Sequence, residues 1–168
     1  MSTRTIKVGI GVLLIAGAVL SSAAMSVADA RAGLWKLNIE KSKFSPGPPP
    51  QGPNTQKIET VANGVKVVAD GVNAQGQKTH TEYTVKFDGK DYPQKPMLDG
   101  KPAPSGPDTI SAKKIDDSTI ELTTKRQGTV VTTVKDTISA DGNTRTATVT
   151  GTNAQGQAIN ITAVWEKQ

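Results

Sequence analysis

The sequence predicts an all-β fold, an antiparallel meander of about eight to ten strands, and three observations carry that prediction. Turn signals recur every eight to fifteen residues after Ala30, a spacing that suits a sandwich or barrel and leaves little room for helices. Several segments between the turns alternate apolar and polar residues, as half-buried strands do. No stretch after Ala30 shows apolar residues at helical spacing.

The chain opens with a segment of a different kind. Arg4 and Lys7 precede a run of 13 apolar residues, Val8 to Leu20, and small residues lead to Ala28-Asp29-Ala30. A basic start, a short apolar stretch and a small-x-small end form an export signal. A membrane-spanning helix needs about 20 apolar residues. Residues 1–30 are therefore read as a signal peptide cut after Ala30, and residues 31–168 as one domain with no stable membrane insertion. Removing two cations and one anion takes the net charge from +5 to +4. The chain has no cysteine, and an exported domain without disulfides suits a periplasmic or secreted bacterial setting.

Within the domain, GLWKL (residues 33–37) reads as the first strand. All ten prolines then fall in two stretches, 45–54 and 93–107, read as loops because proline lacks the amide that a central strand donates. Asn63-Gly64 between KIETVA and VKVVADG is a strong hairpin signal. Asp88-Gly89 ends HTEYTVKF, where Thr81, Tyr83, Val85 and Phe87 share one face and His80, Glu82, Thr84 and Lys86 the other. Asp116-Asp117-Ser118 joins SAKKI to TIELTTK, with Ile120 and Leu122 on one face. Gln127-Gly128 and Asp141-Gly142-Asn143 delimit TVVTTVKDTIS and TRTATVTGT. In the last strand Ile159, Ile161, Ala163 and Trp165 oppose Asn160, Thr162 and Val164. GVNAQGQ (71–77) recurs as GTNAQGQ (151–157), which reads as one hairpin loop used twice. Such a sheet exposes two edges unless it closes on itself.

Composition limits the function. Leu, Ile, Val and Phe supply only 25 of the 138 residues after Ala30, while threonine supplies nineteen. The core is lean, and Thr144, Thr146, Thr148 and Thr150 line one strand face, read as a solvated outer face. Without cysteine there is no thiolate zinc site, iron–sulfur cluster or cysteine nucleophile. His80, the single histidine, pairs only with Glu82 on its strand, is expected to face outward, and gives no metal site. No phosphate loop, GxSxG or calcium loop occurs, so no catalytic residue, cofactor or enzyme activity is assigned. The basic residues are scattered and the six aromatics read as core or barrel-end residues, which excludes a nucleic-acid platform.

The two ends of the domain carry a resemblance. Gly33-Leu34-Trp35 at its start and Ala163-Val164-Trp165-Glu166-Lys167 at its end resemble the calycin group, the lipocalins and fatty-acid-binding proteins. The resemblance implies a lipocalin-like barrel in which the first and last strands lie side by side, Trp35 and Trp165 form the closure, and Lys167 supplies the basic residue over Trp35. It also implies departures. SPGPPPQGPN (45–54) stands where fatty-acid-binding proteins have a helical lid, and Ala163 and Trp165 stand where their last strand holds a carboxylate with arginine and tyrosine. The expectation is an exported, non-enzymatic protein that binds a small hydrophobic or amphipathic molecule through Tyr83, Val85, Phe87, Ile120, Leu122, Ile159 and Ile161. The alternative is a filled-core envelope module that acts as a structural or protein-interaction unit and takes no ligand.

Overall fold

The computed structural model describes residues 27–153 and 155–168. The apolar run 8–20, the core of the expected signal peptide, lies outside the described residues. A short helix α1 (Val27–Arg31) precedes eleven strands: β1 (Gly33–Lys43), β2 (Thr55–Val61), β3 (Gly64–Val72), β4 (Lys78–Lys86), β5 (Tyr92–Leu98), β6 (Lys101–Pro102), β7 (Thr109–Lys114), β8 (Thr119–Arg126), β9 (Thr129–Ile138), β10 (Thr144–Thr152) and β11 (Ala158–Lys167). All pair antiparallel. The hydrogen-bonded order β4-β3-β2-β1-β11-β10-β9-β8-β7-β5 closes through a β4–β5 pairing, while β6 is a two-residue extension on β5. The result is a ten-stranded closed barrel.

Closure at the chain ends is direct. Trp35 pairs with Lys167, Leu37 with Trp165 and Asn38 with Val164. Beyond Asn38 the register slips before resuming at Lys43 and Thr162, as a bulge requires. Ser42 fills the slip: its hydroxyl donates to the Asn38 carbonyl (2.6 Å) and accepts from the Val164 amide (2.9 Å).

The proline stretch at 93–107 departs from its assignment to loop. Pro93 and Pro96 lie inside β5, paired with Thr109 and Thr81, and Pro102 lies in β6. Both β5 prolines point their missing amide where no ladder bond is needed. The Gln94 amide donates to the Asp108 carbonyl (3.0 Å) on the β7 side. Pro96, two residues on, faces the same side, beyond the short β5–β7 ladder of Tyr92–Ile110 and Pro93–Thr109. Pro93 faces β4 just past the last paired residues, Tyr83 and Gln94. The stretch at 45–54 has no strand and connects β1 to β2.

Up-and-down order assigns each connection to one of two ends. The end near Trp35 holds α1, the Asn63-Gly64 turn and the turns around 88–91, 115–118 and 139–143. The other end holds the 45–54 loop, both NAQGQ loops and the Asp99-Gly100 and Gln127-Gly128 turns, whose positive φ values of 48°, 76°, 50° and 78° suit two-residue hairpins.

Burial follows the same division. A larger cluster at the Trp35 end contains Trp35, Ile58, Val65, Val67, Val85, Ile110, Ala112 and Ile138, with Ala28 of α1 packed on it. A smaller cluster toward the other end consists of Leu37, Ala147 and Ala163. Trp165 touches both. The threonine row of β10 lies on the face opposite Arg145 and Ala147, which are buried.

Candidate ligand cavity in the barrel

The Trp35 end is closed by charges rather than by apolar packing alone. Trp35 is fully buried, and its indole Nε1 donates to the Arg31 carbonyl at 2.8 Å. That bond ties the last residue of α1 to β1. Lys167 Nζ lies 5.3 Å and Arg145 Cζ 5.0 Å from the Trp35 ring centre, both within cation–π range. Gly33 makes room for the lysine: a Cβ there would sit 2.7 Å from Lys167 Cε, and its φ of +137° favours glycine besides. The expected Lys167 contact is therefore present, and Arg145 supplies a second.

Asp136 gathers two guanidinium groups. Its carboxylate takes Arg145 Nη2 at 2.7 Å and Nε at 3.2 Å, and lies 3.3 Å from Arg31 Nε. All three side chains are at most 5% exposed. Arg31 Nη2 also donates to the carbonyls of Ser118 and Asp136, each at 2.7 Å, which anchors α1 across the ends of β8 and β9. Burial pushes the Arg31 guanidinium below its ordinary pKa, a shift opposed by the Asp136 charge. Arg145 Nη2 reaches further to Gln56 Oε1 at 3.1 Å.

Beside this cluster the barrel interior holds a partly open cavity of about 220 Å³. Eight strands supply its wall. Its polar side carries Gln56, Tyr83, Gln94, Thr124, Asp136 and Arg145; its apolar side carries Ile110, Leu122, Val134, Ala147, Val149, Ala163 and Trp165. Burial pushes the Tyr83 phenol up to about 12, so its hydroxyl stays protonated at neutral pH. Arg145 Nη1 is buried and has no hydrogen-bond partner.

The residues singled out from the sequence divide around this cavity. Tyr83 and Leu122 line it. Val85 and Ile120 are buried at 0% and 3% exposure, and Phe87 and Ile161 are half-buried against the core clusters. Ile159 is half-buried near the start of β11, outside both clusters and the cavity wall. Trp165, expected at the closure, is also part of the cavity wall. At the last-strand positions where the family resemblance expects a carboxylate clamp, Ala163 and Trp165 line the cavity, and the arginine comes from β10 instead.

Sequence reasoning missed the polar wall, although alternation contains a signal for it. Arg145 shares a strand face with Ala147 and Val149, and Asp136 shares one with Val134 and Ile138. An isolated charge within an inward apolar alternation marks a buried pair when a second strand supplies the opposite charge.

The other candidate groups stay outside. His80 is 44% exposed and its Nδ1 lies 2.7 Å from Asp70 Oδ1. Glu82 pairs with Lys66 across β3 and β4 at 2.8 Å. Among the described residues no three metal-ligating side chains come together. The two NAQGQ loops make matching bonds. Asn73 Oδ1 accepts from the amides of Gln75 (3.0 Å) and Gln77 (2.9 Å), and Asn153 Oδ1 accepts from those of Gln155 (3.0 Å) and Gln157 (2.9 Å). Gly76 and Gly156 have φ of 79° and 77°.

The fold thus defines a class, a closed ten-stranded antiparallel barrel compatible with the calycin group. Comparison with known proteins adds no relative: no family model, no curated protein and no solved structure matches the chain.

Proposed function

We propose that this protein is exported and, once processed after Ala30, works as a lipocalin-like, non-enzymatic binder of a small molecule held inside the barrel. One observation carries this reading: a cavity with apolar and polar walls inside a closed barrel, the form that small-molecule sites take. The filled-core alternative calls for a solid interior, and the lean composition leaves space instead. His80, the single histidine, lies outside the cavity wall, paired with Asp70. The cavity is smaller than the usual range for drug-sized ligands, so its occupant is compact.

Native mass spectrometry of protein purified from its own compartment, with a titration of a hydrophobic fluorophore and of a lipid extract, tests the proposal. A co-purified molecule or saturable binding supports it. A protein that carries nothing and saturates with nothing returns the function to the outer surface. The mass of the exported chain tests the cut after Ala30, which keeps Arg31 and its contacts with Asp136 while removing Ala28 from the core.

A further inference from the structure

We infer that the ligand enters and leaves the cavity sideways through the barrel wall, at the seam where β4 parts from β5, and that the Tyr83 ring is the gate. This rests on the binding reading above and names how that site is reached.

The ladder between β4 and β5 runs from Thr79–Leu98 to Tyr83–Gln94 and stops. The next rung would join Thr84 to Pro93, and proline has no amide to donate across it. From there β5 leaves for β7, which it meets in only two pairs, Tyr92–Ile110 and Pro93–Thr109. Thr84, Val85 and Lys86 pair with Lys66, Val65 and Gly64 of β3 on one side. Among the described residues they have no ladder partner on the other. The wall is joined again at the Asp88–Lys113 bridge and where the Gly89 amide donates to the Ala112 carbonyl at 2.9 Å.

An outer groove follows this seam, with Glu82 and Thr84 on the β4 lip and Tyr92, Pro93 and Lys95 on the β5 lip. Tyr83 lines both that groove and the interior cavity, and it is the one residue the two share. Its ring is therefore the partition between them. Its hydroxyl is hydrogen-bonded to no described residue, so the ring turns without breaking a bond. Other routes are obstructed. The Trp35 end is plugged by α1, the indole and the Arg31–Asp136–Arg145 cluster, and at the far end Ile39, Phe44 and Ile161 pack on the smaller core cluster. Passage through a continuous ladder would leave backbone donors and acceptors unpaired, whereas the seam has no rung to break.

The test uses the full exported protein and nitrobenzene, a compact one-ring probe that quenches tryptophan fluorescence and so reports on Trp165. The chain has no cysteine, so Thr84→Cys with Pro93→Cys supplies one thiol on each lip, and a short bifunctional methanethiosulfonate joins them reducibly. Stopped-flow fluorescence should show association and dissociation both slowed by at least about tenfold in the cross-linked protein. The dissociation constant should stay unchanged, and reduction should restore both rates. Tyr83→Ala should speed both; if it does not fold, the cross-link decides alone. Rates indifferent to the cross-link overturn the gate and leave the binding reading standing. Where the fluorophore or a lipid component binds and nitrobenzene does not, the same rates are measured with that molecule. If nothing binds, the binding reading fails and the gate falls with it.

Discussion

The two ends of the barrel interior are built on different principles. At the Trp35 end, Arg31 of the helix and Arg145 of a strand share Asp136, and with a buried indole they interlock over an apolar cluster rich in valine and isoleucine. At the other end the buried set shrinks to Leu37, Ala147 and Ala163, and strand ends are tied by polar loops. Alanine cannot fill the width of a ten-stranded barrel, so the cavity falls between the two regimes. The comparison teaches that this chain fixes its fold at one end and keeps its space toward the other.

The largest effect should come from breaking the charge cluster. Asp136→Ala leaves Arg31 and Arg145 buried without their shared carboxylate, and removal of one partner from a buried ion pair costs about 3–5 kcal/mol. Urea unfolding should show that loss. Leu37→Ala in the lean cluster should fall near the lower limit for a buried leucine, about 2 kcal/mol, because its fully buried neighbours there are only Ala147 and Ala163. Equal losses at the two sites would erase the distinction between the ends.

Alkaline pH probes the boundary between them. Tyr83 has its phenol raised from 10.0 to about 12 chiefly by burial, so the folded state disfavours tyrosinate. The stability this represents is complete below the unfolded pKa near 10 and is lost as pH rises through about 12, a difference on the order of 2–3 kcal/mol. Tyr92 is also raised, by its hydrogen bond to the Asp88 carboxylate, and remains in Tyr83→Phe. The wild type should therefore lose stability more steeply than Tyr83→Phe between about pH 10 and 12. Parallel curves would mean that Tyr83 meets water freely.

A smaller change fills the space. Ala163→Leu adds a side chain on the cavity face of β11, and its cost should stay below about 1.5 kcal/mol because a void receives it, against about 1–3 for overpacking a filled core. The same substitution should abolish interior binding. A full overpacking penalty with binding retained would show that the void at Ala163 is not the ligand's place.

Much of this architecture is legible in the residues, and what is not has a physical cause. Turn chemistry at Asn63-Gly64, Gln127-Gly128 and Asp141-Gly142-Asn143 is local, so the hairpins follow from sequence. The Gly33-x-Trp35 start and the β11 end reveal the closure because indole, glycine and Lys167 must meet in three dimensions. Pro93 and Pro96 mislead, since whether a missing amide matters depends on which neighbour stops pairing, a tertiary fact. The Arg31–Asp136–Arg145 cluster joins residues 105 and 9 positions apart, and sequence alone does not state which charges share a barrel's interior. The ligand residues chosen by face were all apolar apart from Tyr83, so the polar half of the wall was passed over.

The finest comparison is between the two NAQGQ loops at the end away from Trp35. Both use one asparagine to satisfy the amides two and four residues on, and Asn Nδ2 donates to Gln Oε1 at 3.0 Å in the first loop and 2.9 Å in the second. Among the described residues the first alone is braced: Gln51 Nε2 donates to the Ala74 carbonyl at 2.7 Å, and the Gln51 amide to that of Asn73 at 3.3 Å. Gly156 in the second has open space around it. Asn73→Ala should therefore cost about 1 kcal/mol in global unfolding, because it also loosens the 45–54 connection to the core. Asn153→Ala should cost less, since an unbraced loop opens locally without the barrel. In the wild type the amides of Gln155 and Gln157 should exchange with deuterium faster than those of Gln75 and Gln77. Equal exchange would show that the asparagine alone sets loop stability and that the contact with Gln51 adds nothing.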